Sequence, residues 1–325
     1  MKKIVLLIAA AWTMNVAHAQ VFQNLDVSVT AGTTGIGIDV ASKLGDYVQL
    51  RAGYEFMPRF KKSIYFPVEV GGQPAKAYDE NGNRIESRFD KLSKMLNDMT
   101  GFDVDDEIEM VGKPTINNFK FLVDVFPFKQ NKHWHFTAGF YWGPSKFAEA
   151  ENSTQAMSTL LAVSMYNQLY EKCVKNEPMI DIEGDGTEEN PGASITLPYA
   201  YRQRIKNYGR MGFHVGDKKD TGERYEMEPD PDDDMVKVQA RSNSFKPYLG
   251  FGYGGRLLKN RDDWHVSFDA GAMFWGGTPD LITHDGTNLT KDVENISGKV
   301  GDWVDLVGGV KFFPVLSVRF TKTIF

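Results

Sequence analysis

The chain has 325 residues, with 37 basic and 43 acidic side chains and a formal net charge of −6 at pH 7. This acidic balance argues against a nucleic-acid partner. The single cysteine, Cys173, excludes an internal disulfide, and no apolar run after residue 20 reaches the roughly 18 residues of a membrane-spanning helix.

The first residues predict a secretory signal peptide. Lys2 and Lys3 precede an apolar stretch, Ile4 to Trp12, and Ala17-His18-Ala19 supplies the small residues of a cleavage site. The apolar stretch is too short to cross about 30 Å of hydrocarbon as an anchor. We therefore assign residues 1–19 to the signal and 20–325 to the mature protein, with cleavage between Ala19 and Gln20. Loss of the two lysines takes the formal charge to −8.

The mature chain contains segments in which apolar and polar residues alternate, the period of a β-strand with two different faces. In Val48–Phe56, for example, Val48, Leu50 and Tyr54 share one face, while Arg51 and Glu55 share the other. Eight such strands are predicted, at residues 24–32, 35–44, 47–59, 116–127, 133–143, 246–257, 263–275 and 309–325.

The parity of the apolar positions changes at Gly32-Thr33-Thr34-Gly35. A tight turn or a β-bulge would each produce this change. We favour the turn because it gives an even number of strands and returns the last strand to the side where the first one begins. A further pair of strands around Trp303 to Lys311 would raise the count from eight to ten.

Short and long connections alternate along these strands. The long ones lie near residues 60–115, 144–245 and 276–308. Barrels of the bacterial outer membrane have short periplasmic turns and long extracellular loops. The pattern thus predicts an all-β, antiparallel, up-and-down transmembrane barrel of about eight strands, with its long loops outside the cell.

The residue types on the two faces favour a barrel in lipid over a soluble barrel, because charge lies on the face opposite the apolar residues. We predict a closed interior charge network made of Asp26, Asp39, Arg51, Glu55, Lys120, Asp124, His135, Asp269 and Arg319. Aromatic residues near strand ends are typical of membrane interfaces, and we assign this role to Tyr47, Trp134, Trp142 and Trp264.

The aromatic C-terminal strand and the segments Leu50–Tyr54, Pro247–Tyr253 and Val266–Gly271 resemble small outer-membrane β-barrel proteins of Gram-negative bacteria. The large loops are similar to those of such proteins from Bacteroides-like bacteria. The resemblance covers the strands, and it implies contact with outer-membrane lipid and insertion by the barrel-assembly machinery. One departure concerns Phe325, which has the opposite parity to Leu316, Val318 and Phe320.

Two of the long loops contain predicted helices. Residues 85–99 place Ile85, Phe89, Leu92, Leu96 and Met99 on one helical face. Ser153 is a plausible N-cap for a helix that continues to Lys175. We expect these helices to pack on each other and cover the barrel mouth; a lid or a ligand-binding surface is the alternative.

Two acidic segments were considered as cation sites. Asp181 to Gly186 resembles the start of a calcium loop, but Gly192 stands where a bidentate carboxylate is needed. Glu228 to Asp234 is an acidic, proline-containing run of the kind that is usually hydrated and mobile. We predict no metal and no cofactor.

Catalysis would need a nucleophile or an activated water beside a histidine and an acid. The candidate histidines are His133, His135, His214, His265 and His284, and nothing in the sequence fixes a serine beside them. We therefore predict no catalytic residues and no enzyme. The favoured function is structural or surface-interacting, through an extracellular protein or glycan ligand of unknown identity. The alternatives are a narrow channel for small solutes and a lipid-acting outer-membrane hydrolase.

Overall fold

The computed structural model describes residues 24–182, 193–296, 298–309 and 311–325. Eight antiparallel strands form a closed barrel in which each strand pairs with its neighbours in sequence and the last pairs with the first. The strands are β1 (Asp26–Gly32), β2 (Gly35–Leu44), β3 (Val48–Phe56), β4 (Asn117–Val125), β5 (Trp134–Trp142), β6 (Phe245–Leu258), β7 (Arg261–Phe274) and β8 (Phe312–Thr323). The predicted fold and strand count are confirmed. The predicted signal peptide lies outside the described residues.

The parity change after β1 is a tight turn, as predicted, because Gly32 pairs directly with Gly35 around Thr33 and Thr34. Gly35 has φ of +111°, a backbone conformation that a residue with a Cβ rarely adopts. This turn creates the hairpin that makes the strand number even and allows β8 to pair with β1 from Asp26–Thr323 to Gly32–Ser317.

The two ends of the barrel differ in their connections. One end, the turn end, carries the connections 45–47, 126–133 and 259–260, together with the first described residues and the C-terminal residues of the chain. The backbone pairing of the termini extends past β8, since Leu25 N donates to Phe325 O at 3.1 Å and Ile324 N donates to Leu25 O at 2.8 Å. The Phe325 side chain is exposed.

The other end carries three long insertions, residues 57–116, 143–244 and 275–311, which we call the cap. Its main sheet has five strands in the order Asp280–Thr283, Lys237–Arg241, Lys146–Asn152, Glu107–Pro114 and Lys62–Pro67. Each of these five strands directly follows or precedes one barrel strand in the sequence. The corresponding barrel strands, β7, β6, β5, β4 and β3, lie in the same order in the barrel. The cap sheet is therefore one side of the barrel wall extended beyond the rim.

A second cap sheet contains Arg224–Met227, Met211–Lys218, Glu69–Val70 and Gln73–Pro74, and Val293–Glu294 pairs with its Met211–Lys218 strand. Two small hairpins complete the strands. One pairs Ala77–Tyr78 with Arg84–Ile85, and the other pairs Ile180–Ile182 with Ala193–Ile195. None of these cap strands was predicted.

The helices of the cap are α1 (Arg88–Thr100), α2 (Met157–Lys175), α3 (Tyr199–Tyr208) and α4 (Gly298–Gly309). Ser87 and Asp90 form a capping box that starts α1, and Gly101, at φ of 75°, ends it. The two predicted helices are present.

Two details of these helix predictions were wrong. Ile85 lies in a hairpin strand, and Met99 is exposed at the end of α1. Ser153 is an N-cap, as predicted: its side chain accepts from Ala156 N and begins a 3₁₀ turn, Thr154–Ala156, that runs directly into α2. The alternative strand pair around Trp303 is also wrong, because α4 occupies this segment.

The cap has its own hydrophobic core, separate from the barrel. Its buried side chains come from α1, α2 and both sheets, and they include Leu92, Leu96, Ile108, Met110, Leu160, Val163, Tyr166 and Phe213. We expected two loop helices to pack on each other and cover the barrel mouth. The insertions instead form a packed unit in which helices and sheets share one core. Among the described residues, no helix is both long and apolar enough to cross a membrane.

Candidate functional site

The middle of the barrel interior holds four charged side chains and a histidine, from five strands, which we call the central cluster: Arg51, Asp124, His135, Asp269 and Arg319. Arg51 Nη2 donates to Asp124 Oδ1 at 2.9 Å, and His135 Nε2 lies 2.6 Å from Asp269 Oδ1. Arg319 lies 3.4 Å from both Asp124 and Asp269. These side chains are almost fully buried. The cluster joins opposite walls of the barrel through paired charges.

A second group, the lysine cluster, comprises Lys120, Asp39 and Glu55. Lys120 Nζ lies 2.9 Å from Asp39 Oδ1 and also donates to Glu55 Oε1. All three side chains are buried. One ammonium group therefore serves two carboxylates, each of which needs compensation inside a low-dielectric interior.

Of the nine predicted interior charges, eight lie in these two clusters, and Asp26 lies apart near the turn end. Its carboxylate accepts hydrogen bonds from Gln49 Nε2 at 2.7 Å and Thr323 Oγ1 at 2.6 Å. We missed Lys246, which is buried and contacts Asn118 Oδ1 at 3.4 Å. Lys246 shares its parity in β6 with Gly250, Gly252 and Gly254, a signal that could have placed it inside.

An apolar layer adjoins the charged clusters inside the barrel. It consists of Leu122, Tyr141, Tyr248, Met273 and Val315, with Phe313 packed against it. Tyr141 and Tyr248 meet edge to face, with ring centroids 5.4 Å apart. An eight-stranded barrel has an interior that side chains can fill, and here the apolar layer and the ion pairs fill it together.

The outer wall of the barrel has the opposite character. Large apolar side chains point outward from all eight strands, and several are more than half exposed: Ile38 62%, Phe136 59%, Leu249 59%, Phe268 62% and Leu316 57%. In water, a continuous exposed apolar surface of this kind would drive association. The interior is charged and the wall is apolar, which inverts the plan of a soluble barrel.

The four predicted interfacial aromatics lie at the strand ends. Tyr47, Trp134 and Trp264 are at the turn end, and Trp142 is at the cap end. Trp134 packs edge to face on Tyr253, with ring centroids 4.9 Å apart. The Trp264 ring lies 5.4 Å from Lys322 Nζ, within reach of a cation–π contact. The aromatic residues thus flank the apolar wall on both sides.

Specific polar contacts fix the cap helix α2 on the cap sheets. The Asn167 side chain donates to Met211 O at 2.7 Å and accepts from Met211 N at 2.9 Å. Tyr166 Oη donates to Gly209 O at 2.8 Å. Arg210 bridges Glu171 and Glu228, and the hydrogen bonds to these carboxylates raise the pKa of Arg210. These contacts therefore hold α2 against the second cap sheet.

One part of the cap exposes apolar side chains close together in the chain, which we call the hairpin–helix surface: Ile180, Ile182, Ile195, Tyr199 and Tyr201. Ile180 and Ile195 are direct cross-strand partners, and Ile182 lies on the same face of the hairpin. The two tyrosines begin α3. Exposed apolar groups gathered in this way are typical of an interaction surface.

The histidines considered for catalysis are dispersed. His135 belongs to the central cluster, and His133 Nδ1 donates to Gly254 O at 2.6 Å near the turn end. His214 lies 3.9 Å from Glu69 and from Asp217, beyond direct hydrogen bonding. His284 Nδ1 accepts from Lys237 N at 3.4 Å. The described contacts of these histidines include no serine hydroxyl.

In the described residues, neither acidic segment forms an arrangement of ligands suited to a cation. Residues 183–192 of the calcium-like loop lie outside the described residues. Within the described ranges, no three or more His, Cys, Asp or Glu side chains are arranged to hold a metal ion. The run Glu228 to Asp234 contains a turn in which Asp234 N donates to Asp230 O at 2.7 Å.

Comparison with known proteins adds two similar structures. The chain is 14% identical to Acinetobacter baumannii CarO2, with a TM-score of 0.38, and the alignment covers 92% of this chain and 98% of that one. For Acinetobacter baumannii CarO the identity is 14%, the TM-score 0.37 and the coverage 92% and 97%. Both sequence identities and both TM-scores are too low to carry a conclusion about this chain. No protein-family model and no curated protein sequence matches it.

Proposed function

We propose that this protein is an integral outer-membrane barrel that anchors a folded cap at the cell surface and acts through that cap. The observation that carries the proposal is the inverted polarity of the barrel. Apolar side chains such as Ile38, Phe268 and Leu316 face outward, while Arg51, Asp124 and Arg319 are buried within. A lipid environment stabilises that arrangement, because acyl chains cover the apolar wall that water would leave exposed. The closed barrel satisfies the backbone groups of the wall internally, which a hydrocarbon environment requires.

The short connections at one end of the barrel and the long ones at the other indicate how the barrel would be oriented in the membrane. In outer-membrane barrels the short turns face the periplasm and the long segments face outside. The turn end would therefore lie in the periplasm and the cap outside the cell. The predicted signal peptide would deliver the chain to the periplasm, where the barrel-assembly machinery inserts it. Outer-membrane lipid would then contact the wall between the two aromatic girdles.

The packed interior favours an anchor over a channel. Ion pairs cross the lumen, from Arg51 on β3 to Asp269 on β7 at 3.8 Å and from Arg319 on β8 to Asp124 on β4 at 3.4 Å, and the apolar layer adjoins them. Opening a continuous water path would separate buried charges, which costs several kcal/mol for each unpaired ion. We therefore propose that the barrel does not conduct at rest.

The cap would supply the interaction. Loops held on a rigid scaffold commonly carry binding residues, and the hairpin–helix surface presents isoleucine and tyrosine side chains to solvent. Tyrosine combines a large apolar ring with a polar hydroxyl, which suits contact with a protein or a glycan. The proposed partner is therefore an extracellular protein or glycan that covers Tyr199 and Tyr201.

Cysteine labelling in intact cells tests the location and orientation. In a Cys173→Ser background, Tyr201→Cys places a thiol on the cap, and Lys129→Cys places one on a turn at the other end. A membrane-impermeant maleimide should label Tyr201→Cys in intact cells and Lys129→Cys only after the outer membrane is permeabilised. Labelling of Lys129→Cys alone would reverse the orientation. Retention of both variants in the soluble periplasmic fraction would refute the membrane location.

Planar-bilayer recording tests the closed interior. Purified protein should give no steady conductance steps at moderate voltage. Reproducible single-channel steps from the wild-type protein would replace the anchor interpretation with the channel alternative. The Arg319→Met variant is a useful companion, because loss of a cross-lumen cation should loosen the interior and make transient openings more frequent.

A further inference from the structure

Three oxygen atoms of the barrel interior lack a polar partner and come from adjacent strands. Among the described residues, the buried side-chain atoms without a hydrogen-bond partner include Thr30 Oγ1, Asp39 Oδ2 and Glu55 Oε2, whereas Asp39 Oδ1 is the atom that Lys120 contacts. These residues belong to β1, β2 and β3. Thr30 pairs with Gly37, and Gly37 pairs with Glu55, so the three strands bring them together. Buried polar atoms without a partner are rare in native proteins and require an explanation.

The local charge is unbalanced in the same place. Lys120 is the ammonium group in contact with both Asp39 and Glu55. Arg51 and Arg319 direct their ion pairs to Asp124 and Asp269 in the central cluster. The buried Lys246 contacts the neutral oxygens of Asn118 and Ser244. The lysine cluster therefore carries one carboxylate more than its own cation can neutralise, and an uncompensated buried charge is strongly destabilising.

The chemistry of the free atoms indicates what could compensate it. All three are oxygens, two from carboxylates and one from a hydroxyl, and hard cations prefer oxygen ligands. Two glycines let these side chains lie close to the backbone: an added Cβ at Gly37 would come within 2.5 Å of Glu55 Cγ and 2.7 Å of Thr30 Oγ1, and one at Gly53 would come within 2.9 Å of Asp39 Cγ. The space is thus small, which favours a single ion over an organic ligand.

We propose that Asp39, Glu55 and Thr30 form a binding site for one small monovalent cation of the sodium class inside the barrel. The cation neutralises the second carboxylate of the lysine cluster and uses the oxygens that Lys120 leaves free. Its role is to lock β1, β2 and β3 together within the lumen. The proposal concerns the barrel interior alone and holds whatever partner the cap binds.

Thermal unfolding of the full-length protein in detergent tests the site. Sodium chloride, potassium chloride and choline chloride are compared at constant ionic strength, so that screening is the same in each. The midpoint in sodium should exceed that in choline by roughly 5 to 10 °C once sodium is about 100 times its dissociation constant. Asp39→Asn and Glu55→Gln should lose this difference. Asp26→Asn is the matched control, since it changes a buried carboxylate outside the site, and it should keep the difference.

A direct measurement covers the case in which the variants do not fold. The sodium NMR line of the wild-type protein should broaden on binding and narrow again when excess lithium competes. The absence of a sodium effect in both wild-type experiments, or an equal effect in Asp39→Asn, would overturn the proposal. A wild-type unfolding midpoint that changes on acidification but not with the cation would also overturn the proposal. In that case the two carboxylates would share a proton and would need no metal ion.

Discussion

Replacement of Arg319 by methionine would test whether the central cluster stabilises the barrel. The guanidinium lies 3.4 Å from Asp124 Oδ2 and 3.4 Å from Asp269 Oδ2, and it donates to Ser267 Oγ at 3.0 Å. Methionine keeps the length of the side chain and removes its charge. Both carboxylates would remain buried, with Arg51 as the cation still in contact with each of them.

The size of the effect follows from burial more than from distance. With an effective dielectric constant of about 20, each 3.4 Å pair has roughly 5 kcal/mol of Coulomb attraction. Desolvation offsets most of this, and loss of one partner of a buried pair costs about 3–5 kcal/mol. Because Arg51 still compensates the two carboxylates in part, we expect about 3 kcal/mol for Arg319→Met. Neutralising a carboxylate as well, in Arg319→Met with Asp269→Asn, should cost less than the sum of the single changes.

Urea unfolding in lipid vesicles, followed by tryptophan fluorescence, would measure these differences. Arg256→Met is the matched control. Arg256 lies 2.8 Å from Asp262, a shorter distance than either Arg319 pair, but the two side chains are 60% and 76% exposed. Water screens that pair, so its loss should leave the unfolding midpoint almost unchanged. Equal effects of Arg319→Met and Arg256→Met would refute the argument that burial makes the central cluster stabilising.

Four further predictions concern the cap. Leu160→Ala in the cap core should cost about 2–5 kcal/mol of stability and expose the cap to protease, while the barrel keeps its heat-modifiable migration in gels. Leu161→Ala, at an exposed neighbouring position, is the control and should change neither protease sensitivity nor migration. Loss of the folded barrel in Leu160→Ala would show that the cap and the barrel do not unfold separately. Burial opposes ionisation of Asp90, but hydrogen bonds from Ser87 and Arg84 lower its pKa overall. The ionised Asp90 therefore stabilises the cap above about pH 4, and this stabilisation is lost as the pH falls further. The pH dependence should be absent in Asp90→Asn. Ser87→Ala should cost about 1 kcal/mol, measured by cap proteolysis, and a cost at the level of noise would contradict the capping box. Burial raises the pKa of the Cys173 thiol, so the native protein should resist a thiol reagent that reacts readily after unfolding.

Local periodicity accounts for what could be predicted of the barrel. Each strand of the wall has lipid on one side and the packed interior on the other, so its sequence alternates with period two whatever its partners are. That is why Arg51, Lys120 and Asp269 could be assigned to the interior one strand at a time. The same reasoning could not reveal that Lys120 meets two carboxylates, because the contacts join residues from β2, β3 and β4.

The cap was harder to predict for a related reason. Its strands are short, and their pairing partners are far away in the sequence: Lys146–Asn152 pairs with Glu107–Pro114 on one side and Lys237–Arg241 on the other. Segments of this length have no reliable signal of their own when they are half buried on both faces. The helix α4 did carry a signal that was missed, since Val300, Val304 and Val307 recur at helical spacing.

The sequence by itself determined the strands, their two faces and the side of the barrel on which the long insertions lie, because alternation and turn chemistry act over a few residues. Only the tertiary structure decided that the insertions share one core, that the cap sheet prolongs the wall, and which carboxylate faces which cation. These outcomes depend on closing the barrel, which brings β1 beside β8 and places residues from distant strands within ion-pair distance across the lumen.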